Sequence, residues 1–313
     1  MEHSESTSAA AGLAGIVKSV VVTSRPRQWT KNLIIYLAFL FTANEAWSTL
    51  EPSATLGLLM KTTVAFVIFT ALTSAVYLVN DVVDAELDRR HPKKRLRPIA
   101  SGRLPAHVAT GVAAILSTAG IGAAFFFETL FGAVSLLYVA SMIAYSLALK
   151  NVVLLDVFII GGGFVLRAVA GAVVINVPIS PWLYICTGLG ALFLALSKRR
   201  AELAVAGDMA HAQRKSLSLY SVGLLDQLIV VVATSAVIAY SLYTFTAQNL
   251  PENHAMMITI PLVIFGLFRY LLLMHTKGLG EEPEEVIIKD APLIAVVLMW
   301  LGSSAAILTL FRG

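Results

Sequence analysis

Long apolar stretches recur along the whole chain, and they constrain its fold more than any other feature. Each stretch is about 20 residues long, the length that an α-helix needs to cross a bilayer. Only 13% of the 313 residues are charged, roughly half the share found in soluble proteins. The sequence therefore predicts an all-α, polytopic membrane protein of one domain, 1–313, and excludes a water-soluble enzyme and a disordered chain. The nine predicted spans are 31–49, 62–82, 106–126, 130–148, 152–174, 182–198, 227–247, 255–274 and 291–311.

The basic residues fall mostly on one side of the predicted membrane. If the nine spans alternate in direction, 19 of the 23 Lys and Arg residues lie on one side, and only Lys61 and Arg312 on the other. Basic loops face the cytoplasm, so we expect a cytoplasmic N-terminus and an outward C-terminus in the plasma or inner membrane. Two long inner loops, 83–105 and 199–226, carry most of the charge, and we expect them to form the catalytic face.

Two further features have simpler interpretations. Residues 9–22 are apolar but are interrupted by Lys18, which predicts an amphipathic lead-in on the membrane surface rather than a cleaved signal peptide. The single cysteine, Cys186, excludes an intrachain disulfide and C-x-x-C metal or redox chemistry.

An acidic motif ends the second predicted span. On a helix, Asp81, Asp84 and Asp88 would share one face, directly after Asn80. Three unscreened carboxylates at the end of a membrane helix are costly to keep there. Mg²⁺ removes that cost, because it prefers oxygen ligands and binds through one or two carboxylates together with substrate phosphates. The motif therefore predicts a Mg²⁺ site; a solvated acidic helix end is the alternative.

A basic run follows the acidic motif at once. Residues 89–97 read R-R-H-P-K-K-R-L-R, and Lys and Arg are the usual partners of phosphate oxygens. Alone, such a run would signal only membrane topology. Beside the carboxylates it indicates a metal-bridged diphosphate, with phosphates held by Lys94, Arg95 and Arg97.

These residues resemble a known family. N-D-x-x-D-x-x-x-D at 80–88, R-P-R-Q-W-T-K-N at 25–32 and R-L-R-P-I-A-S-G at 95–102 look like motifs of the UbiA superfamily of intramembrane prenyltransferases, which have nine helices. The resemblance covers nearly the whole chain. It also implies a second motif of the D-x-x-x-D kind, but here Asp156 is followed four residues later by Ile160. The second acidic pair is therefore missing.

With its differences from the usual superfamily motifs, this chain is most similar to one branch of that superfamily. Its members transfer 5-phosphoribose from phosphoribosyl diphosphate to a polyprenyl (decaprenyl) phosphate, releasing diphosphate, for cell-wall arabinan precursors. The motifs that this chain shares with the branch include R-A-V-A-G at 167–171, K-R-R-A-E-L at 198–203, R-K-S-L at 214–217 and G-E-E-P-E at 280–284. The resemblance implies a Mg²⁺-dependent phosphoribosyltransferase in the bilayer, with no nucleic-acid partner, and it is compatible with a homo-oligomer.

The resemblance also implies residue roles. Asp81, Asp84 and Asp88 would hold the metal, and Asp156 would orient ribose hydroxyls or assist the metal. Lys198 and Arg199 would receive the lipid phosphate. The predicted substrate-binding residues are Asn80, Lys31, Lys94, Arg95, Arg97, Tyr145, Lys150, Arg167, Lys198 and Arg199.

Structural alternatives exist for two of these assignments. Asp156 and Arg167 are separated by eleven residues, which places them on one helix face as a possible buried ion pair. Lys198 and Glu202 are four residues apart and fit a surface pair.

Two other functions stay open at the level of sequence. An aromatic prenyltransferase using a prenyl diphosphate would be supported by a second D-x-x-x-D motif, which this chain lacks. A transporter would need charged residues spread across mid-membrane depth, whereas these cluster at one face.

Overall fold

The computed structural model describes residues 2–178, 180–206, 216–247, 250–277 and 283–312, with side chains from residue 12 onward except 206, 283 and 284. The motif residues Arg214, Lys215 and 280–282 lie outside this description. Throughout the described ranges the chain is helical, without a β-strand; Ala43 and Trp47 form an isolated bridge. The predicted all-α class is confirmed.

Eight helices are long and apolar enough to cross a membrane, counted over the described ranges. They are α3 (Pro52–Val83), α5 (Ala106–Phe127), α6 (Thr129–Leu147), α7 (Leu155–Val174), α8 (Pro181–Ala206), α9 (Val222–Thr246), α10 (Ile260–Lys277, extended by the 3₁₀ turn Ala255–Thr259) and α12 (Ala291–Phe311). The shorter or less apolar helices are α1 (Glu2–Thr23), α2 (Tyr36–Phe41), α4 (Ala85–Arg90) and α11 (Pro283–Lys289). The chain is thus a multi-pass membrane protein, and eight of the predicted spans are confirmed.

The span predicted at 31–49 is not a single helix. A 3₁₀ helix, Pro26–Ile35, is followed by the six residues of α2 and then by turns. Arg25 contacts Asp81 near the end of α3, so the chain must return about 44 Å along that helix to reach Pro52. Residues 26–51 cover that distance without an α-helix long enough to span a membrane.

Two compact units share the chain. The first comprises Met1–Asn32 and Phe66–Lys150, and the second comprises Leu33–Ala65 and Asn151–Gly313. Each unit therefore combines two separated pieces of sequence.

Aromatic and small apolar residues form the cores of both units. In the first, the ring of Phe69 lies 5.2 Å from that of Tyr138 and 6.0 Å from that of Phe131, measured between centroids. In the second, Phe193 packs edge-on against Tyr270 at 5.2 Å. Van der Waals packing of such rings favours helix association within a bilayer.

One glycine allows an unusually close backbone approach in the second unit. A Cβ atom at Gly171 on α7 would lie 2.1 Å from the carbonyl oxygen of Ile35 in the 3₁₀ helix. Backbone atoms cannot yield as a flexible side chain can. The glycine that ends R-A-V-A-G is therefore needed for this helix contact.

We expect Gly171→Ala to lower the melting temperature of the purified protein, because the new methyl group overpacks the contact by about 1–3 kcal/mol. Gly162→Ala on the same helix is the matched control: its Cβ would meet nothing within 4 Å, and alanine favours a helix by about 0.5–1 kcal/mol over glycine. A melting temperature for Gly171→Ala at or above that of the wild type would contradict the close approach.

Candidate active site

The acidic motif lies at a junction between two helices. α3 ends at Val83 and α4 begins at Ala85, with Asp84 between them at φ −87° and ψ 0°. Helical hydrogen bonding nevertheless continues, since the Asp84 N–H donates to the Asn80 carbonyl at 2.9 Å and the Asp88 N–H to the Asp84 carbonyl at 2.8 Å. The predicted stripe is present with a slight kink.

Each carboxylate of the motif has a basic partner. Asp81 and Asp88 are both only 3% exposed. The Arg97 Nη1 atom lies 2.6 Å from Asp88 Oδ2 and 3.4 Å from Asp81 Oδ1, so one guanidinium joins the two. The Lys150 ammonium pairs with Asp84. Arg97 was predicted to hold donor phosphates and Lys150 to line the donor site, and the structure brings both to the acidic motif.

Arg25 is a site residue that sequence analysis missed. Its Nη2 atom lies 2.5 Å from Asp81 Oδ1, and its guanidinium stacks over the Tyr77 ring at 4.9 Å. The backbone of Arg25 has a φ of +52°, which is strained for a residue with a side chain and is typical of functional positions. The R-P-R-Q-W motif was the available signal, but no spacing rule connects residue 25 to residue 81.

The basic loop folds back toward the carboxylates. The His91 Nδ1 atom accepts hydrogen bonds from the N–H groups of Lys93 and Lys94, both at 3.2 Å. This turn starts the short 3₁₀ helix Lys94–Leu96, after which Arg97 points back to the acidic motif. Lys94 is half-buried, whereas Arg95 is exposed.

Burial dominates the electrostatics of Asp88. Loss of hydration raises the pKa of the Asp88 carboxyl above its ordinary value, although the charges of Arg97 and Lys94 act in the opposite direction. An additional cation near Asp88 would therefore stabilise the ionised form of its carboxyl.

The carboxylates of the acidic motif can supply some of the ligands that a divalent cation needs. Across the described residues, three His, Cys, Asp or Glu side chains nowhere come together as a metal cluster. Asp81 and Asp88, however, both contact Arg97, so two buried carboxylates already share one cation. Mg²⁺ needs only one or two carboxylates when substrate phosphates supply other ligands.

Other predicted residues lie in the same unit as the motif. The Ser146 hydroxyl donates to Asn80 Oδ1 at 3.3 Å, and Tyr145 and Lys31 are half-buried. Asn32 is fully buried, where its amide donates to the Thr70 hydroxyl at 3.2 Å. The R-P-R-Q-W-T-K-N segment is thus attached to α3 at both of its ends.

A second charged cluster lies within the second unit. Asp156 is fully buried and its Oδ2 atom lies 3.0 Å from the Nε atom of Arg199, which is 2% exposed. Arg199 also pairs with Glu202. The Tyr220 hydroxyl donates to Asp156 Oδ1 at 2.8 Å and accepts from the Leu154 N–H at 2.8 Å.

This cluster corrects one expectation. Asp156 pairs with Arg199 rather than with Arg167, whose Nη1 atom donates to the Gly163 carbonyl at 2.8 Å. Glu202 pairs with Arg199, and its pair with Lys198 stays a prediction. The predicted substrate roles of Asp156, Arg167, Lys198 and Arg199 stay predictions as well.

Burial also sets the state of Tyr220. Loss of hydration and the adjacent Asp156 carboxylate raise the pKa of Tyr220 to about 12. Its hydroxyl therefore stays protonated and able to donate at physiological pH.

The UbiA prenyltransferase family model matches residues 26–284. The chain belongs to this family. Decaprenyl-phosphate phosphoribosyltransferase of Mycobacterium tuberculosis is 34% identical over 302 residues, covering 94% of this chain and 95% of that protein. The enzyme of the same name from Mycolicibacterium smegmatis is 34% identical over 304 residues, covering 94% and 92%.

The fold of this UbiA family member agrees with solved structures. A UbiA homolog from Archaeoglobus fulgidus, solved with GPP and Mg²⁺, superposes with a TM-score of 0.70 at 15% sequence identity, covering 93% of this chain and 100% of the other. The similarity supports the helical architecture expected from the sequence.

We expect Tyr220→Phe to destabilise the UbiA fold by about 1–3 kcal/mol, because it leaves the Leu154 N–H and Asp156 Oδ1 each without one partner. Thermal unfolding of the purified protein would measure this loss. Since the raised pKa keeps the wild-type hydroxyl protonated until the pH approaches about 12, the stability it contributes is complete at neutral pH and is lost only in strong alkali.

Tyr184→Phe is the matched control for that substitution, because Tyr184 is 38% exposed. Equal melting temperatures for the Tyr220→Phe and Tyr184→Phe proteins would show that the buried cluster contributes nothing to stability.

Proposed function

We propose that this protein transfers 5-phosphoribose from phosphoribosyl diphosphate to a polyprenyl phosphate such as decaprenyl phosphate, releasing diphosphate. One observation carries the proposal: the acidic motif of α3 and α4 is surrounded by cations, while Asp156 is closed into an ion pair with Arg199. A single acidic site with surplus cations suits a donor that bears both a diphosphate and a separate 5-phosphate. The names of the mycobacterial relatives support the same choice.

The phosphates of the donor would replace the aspartate carboxylates as partners of two basic side chains. Arg97 and Lys150, now paired with Asp88 and Asp84, are placed to bind the diphosphate. Lys94 and the exposed Arg95 follow on the same loop and are proposed for the 5-phosphate. Asn80, Tyr145 and Lys31 would border the ribose. Arg–phosphate contacts of this kind are charge-assisted and directional.

Asp81, Asp84 and Asp88 would hold Mg²⁺, with Asp81 and Asp88 as the pair already sharing a cation. When bound, the metal would neutralise negative charge on the diphosphate. The carboxylates also keep Arg97 and Lys150 oriented before substrate arrives, which lowers the cost of ordering them later.

The reaction exchanges one bond to ribose C1 for another. The C1–O bond to diphosphate breaks with its electron pair leaving on diphosphate, and an oxygen of the lipid phosphate forms the new bond. That oxygen is already ionised, so no general base is required. This agrees with His91, whose Nδ1 atom is occupied by two backbone N–H groups.

The second unit would contribute mainly by positioning. Lys198, half-buried on α8, is proposed for the acceptor phosphate on the strength of the K-R-R-A-E-L motif. Asp156, Arg199 and Tyr220 would fix the end of α8 from which Lys198 projects. Arg167 is proposed as a further binding residue within α7.

We propose that this chemistry takes place at the cytoplasmic face of the cell membrane. The excess of Lys and Arg on one side of the predicted spans supports this orientation. The donor is soluble and anionic, so a basic inner face suits it.

Purified protein given phosphoribosyl diphosphate labelled at the 5-phosphate, decaprenyl phosphate and Mg²⁺ should form a labelled lipid. Asp88→Asn should lower kcat/KM by about ten- to a hundredfold, because one charge-assisted contact contributes about 1.5–3 kcal/mol. Glu86→Gln is the matched control, since the Glu86 side chain is 80% exposed on the same helix. Absence of labelled lipid with the wild type would contradict the proposed function, and full activity of Asp88→Asn would contradict the site.

A further inference from the structure

An apolar groove runs along α3 in the first unit. Its volume is about 470 Å³. It is bordered by the end of α1 at Val21, by Trp29 of the 3₁₀ helix and by Leu116 of α5. Residues of α3 between Phe66 and Ser74 form its floor. The acidic motif does not use this groove.

The polar side chains that line the groove donate their hydrogen bonds to backbone carbonyls. The hydroxyls of Thr70 and Ser74 donate to the carbonyls one helical turn earlier, at 2.7 and 2.8 Å. Ser24 does the same at 2.9 Å, and the Trp29 indole N–H donates to the Ser24 carbonyl at 3.1 Å. A ligand in the groove would therefore meet mainly hydrocarbon, which suits a chain without polar atoms.

The floor of the groove continues to the acidic motif on one helix face. Ser74, Thr70 and Val67 precede Asp81 by seven, eleven and fourteen residues, which places all three within about 40° of Asp81 around α3. Ser74 lies about 10 Å from Asp81 along the helix axis. The groove therefore leads directly toward the carboxylates.

A cation follows one of the groove residues in sequence. Ser24 lines the groove, and the next residue, Arg25, pairs with Asp81 at 2.5 Å. At the rim, Val21 and Val67 are 49% and 59% exposed, so a longer chain can continue into the bilayer. An apolar groove on the helix face of Asp81, the partner of Arg25, suits an anionic head on a single hydrocarbon chain.

We propose that this groove binds the first isoprene units of the polyprenyl phosphate acceptor, with Arg25 facing its phosphate. The inference rests on the proposed function and names where that acceptor lies. A polyprenyl phosphate has one chain, as the single groove requires, whereas a membrane phospholipid has two.

A second apolar cavity offers the competing location. It measures about 460 Å³ within the second unit and is lined by residues that include Trp182, Tyr243 and Trp300. The acidic side chain that lines it is Glu45, which is held by Arg312. A carboxylate at this position is less suited to a lipid phosphate than Arg25.

Photo-crosslinking to the full-length protein in nanodiscs tests the location without requiring turnover. The probe is a polyprenyl phosphate with a diazirine on its second isoprene unit, used without the ribosyl donor. We expect adducts between Phe66 and Ser74 or at Leu116, identified by mass spectrometry. Adducts confined to the second cavity, at residues such as Trp182 or Trp300, would overturn the inference. So would equal loss of labelling with excess phosphatidylglycerol and with excess unlabelled polyprenyl phosphate.

Substitutions that fill the groove provide the kinetic test. Ala71→Trp, and Val67→Trp at the exposed rim, should raise the KM for decaprenyl phosphate at least tenfold. They should leave the KM for phosphoribosyl diphosphate within about twofold. Ala114→Trp is the control, because Ala114 is exposed on α5 two residues from the groove-lining Leu116. Unchanged KM values for decaprenyl phosphate in both groove variants would contradict the site.

The crosslinking result and the transfer activity together distinguish a failure of this inference from a failure of the proposed function. Groove adducts without any phosphoribosyl transfer would support the acceptor site and contradict the donor assignment. Phosphoribosyl transfer with adducts only elsewhere would support the function and overturn the groove.

Discussion

The first unit depends on neutralising the buried carboxylates of the acidic motif. Asp81 and Asp88 are almost fully buried, and an unpaired charge in such a position costs several kcal/mol. Arg25, Arg97 and Lys150 supply the compensating charge from three distant segments of the chain. The ion pairs therefore draw together the segment before α3, the basic loop and the end of α6. The same requirement that organises this unit also places cations where phosphates would bind.

The second unit also contains a buried carboxylate, but its charge is neutralised in a different way. Its buried carboxylate, Asp156, is closed into an ion pair with Arg199 and a hydrogen bond from Tyr220. These contacts link α7, α8 and the segment that precedes α9. This member of the UbiA family thus combines one acidic site rich in cations with one internal ion pair. That asymmetry favours a donor with two separate phosphate groups.

Sequence patterns predicted what depends on local spacing. The eight long helices follow from apolar length, and the shared face of Asp81, Asp84 and Asp88 follows from helical periodicity. Contacts between segments that are distant in the sequence could not be predicted from such patterns. Arg25 pairs with Asp81, which lies 56 residues away in the sequence. Asp156 pairs with Arg199 of α8 and not with Arg167 of its own helix. The 3₁₀ backbone at Pro26–Ile35 was also missed, because hydropathy does not distinguish a 3₁₀ helix from an α-helix.

A donor competition tests the central claim most directly. The purified protein would receive phosphoribosyl diphosphate and geranyl diphosphate together, with decaprenyl phosphate and 4-hydroxybenzoate as acceptors, and the lipid products would be identified by mass spectrometry. The account predicts decaprenyl-phosphoribose phosphate and diphosphate, with no prenylated aromatic acid. Prenylated 4-hydroxybenzoate without any ribose-bearing lipid would contradict it.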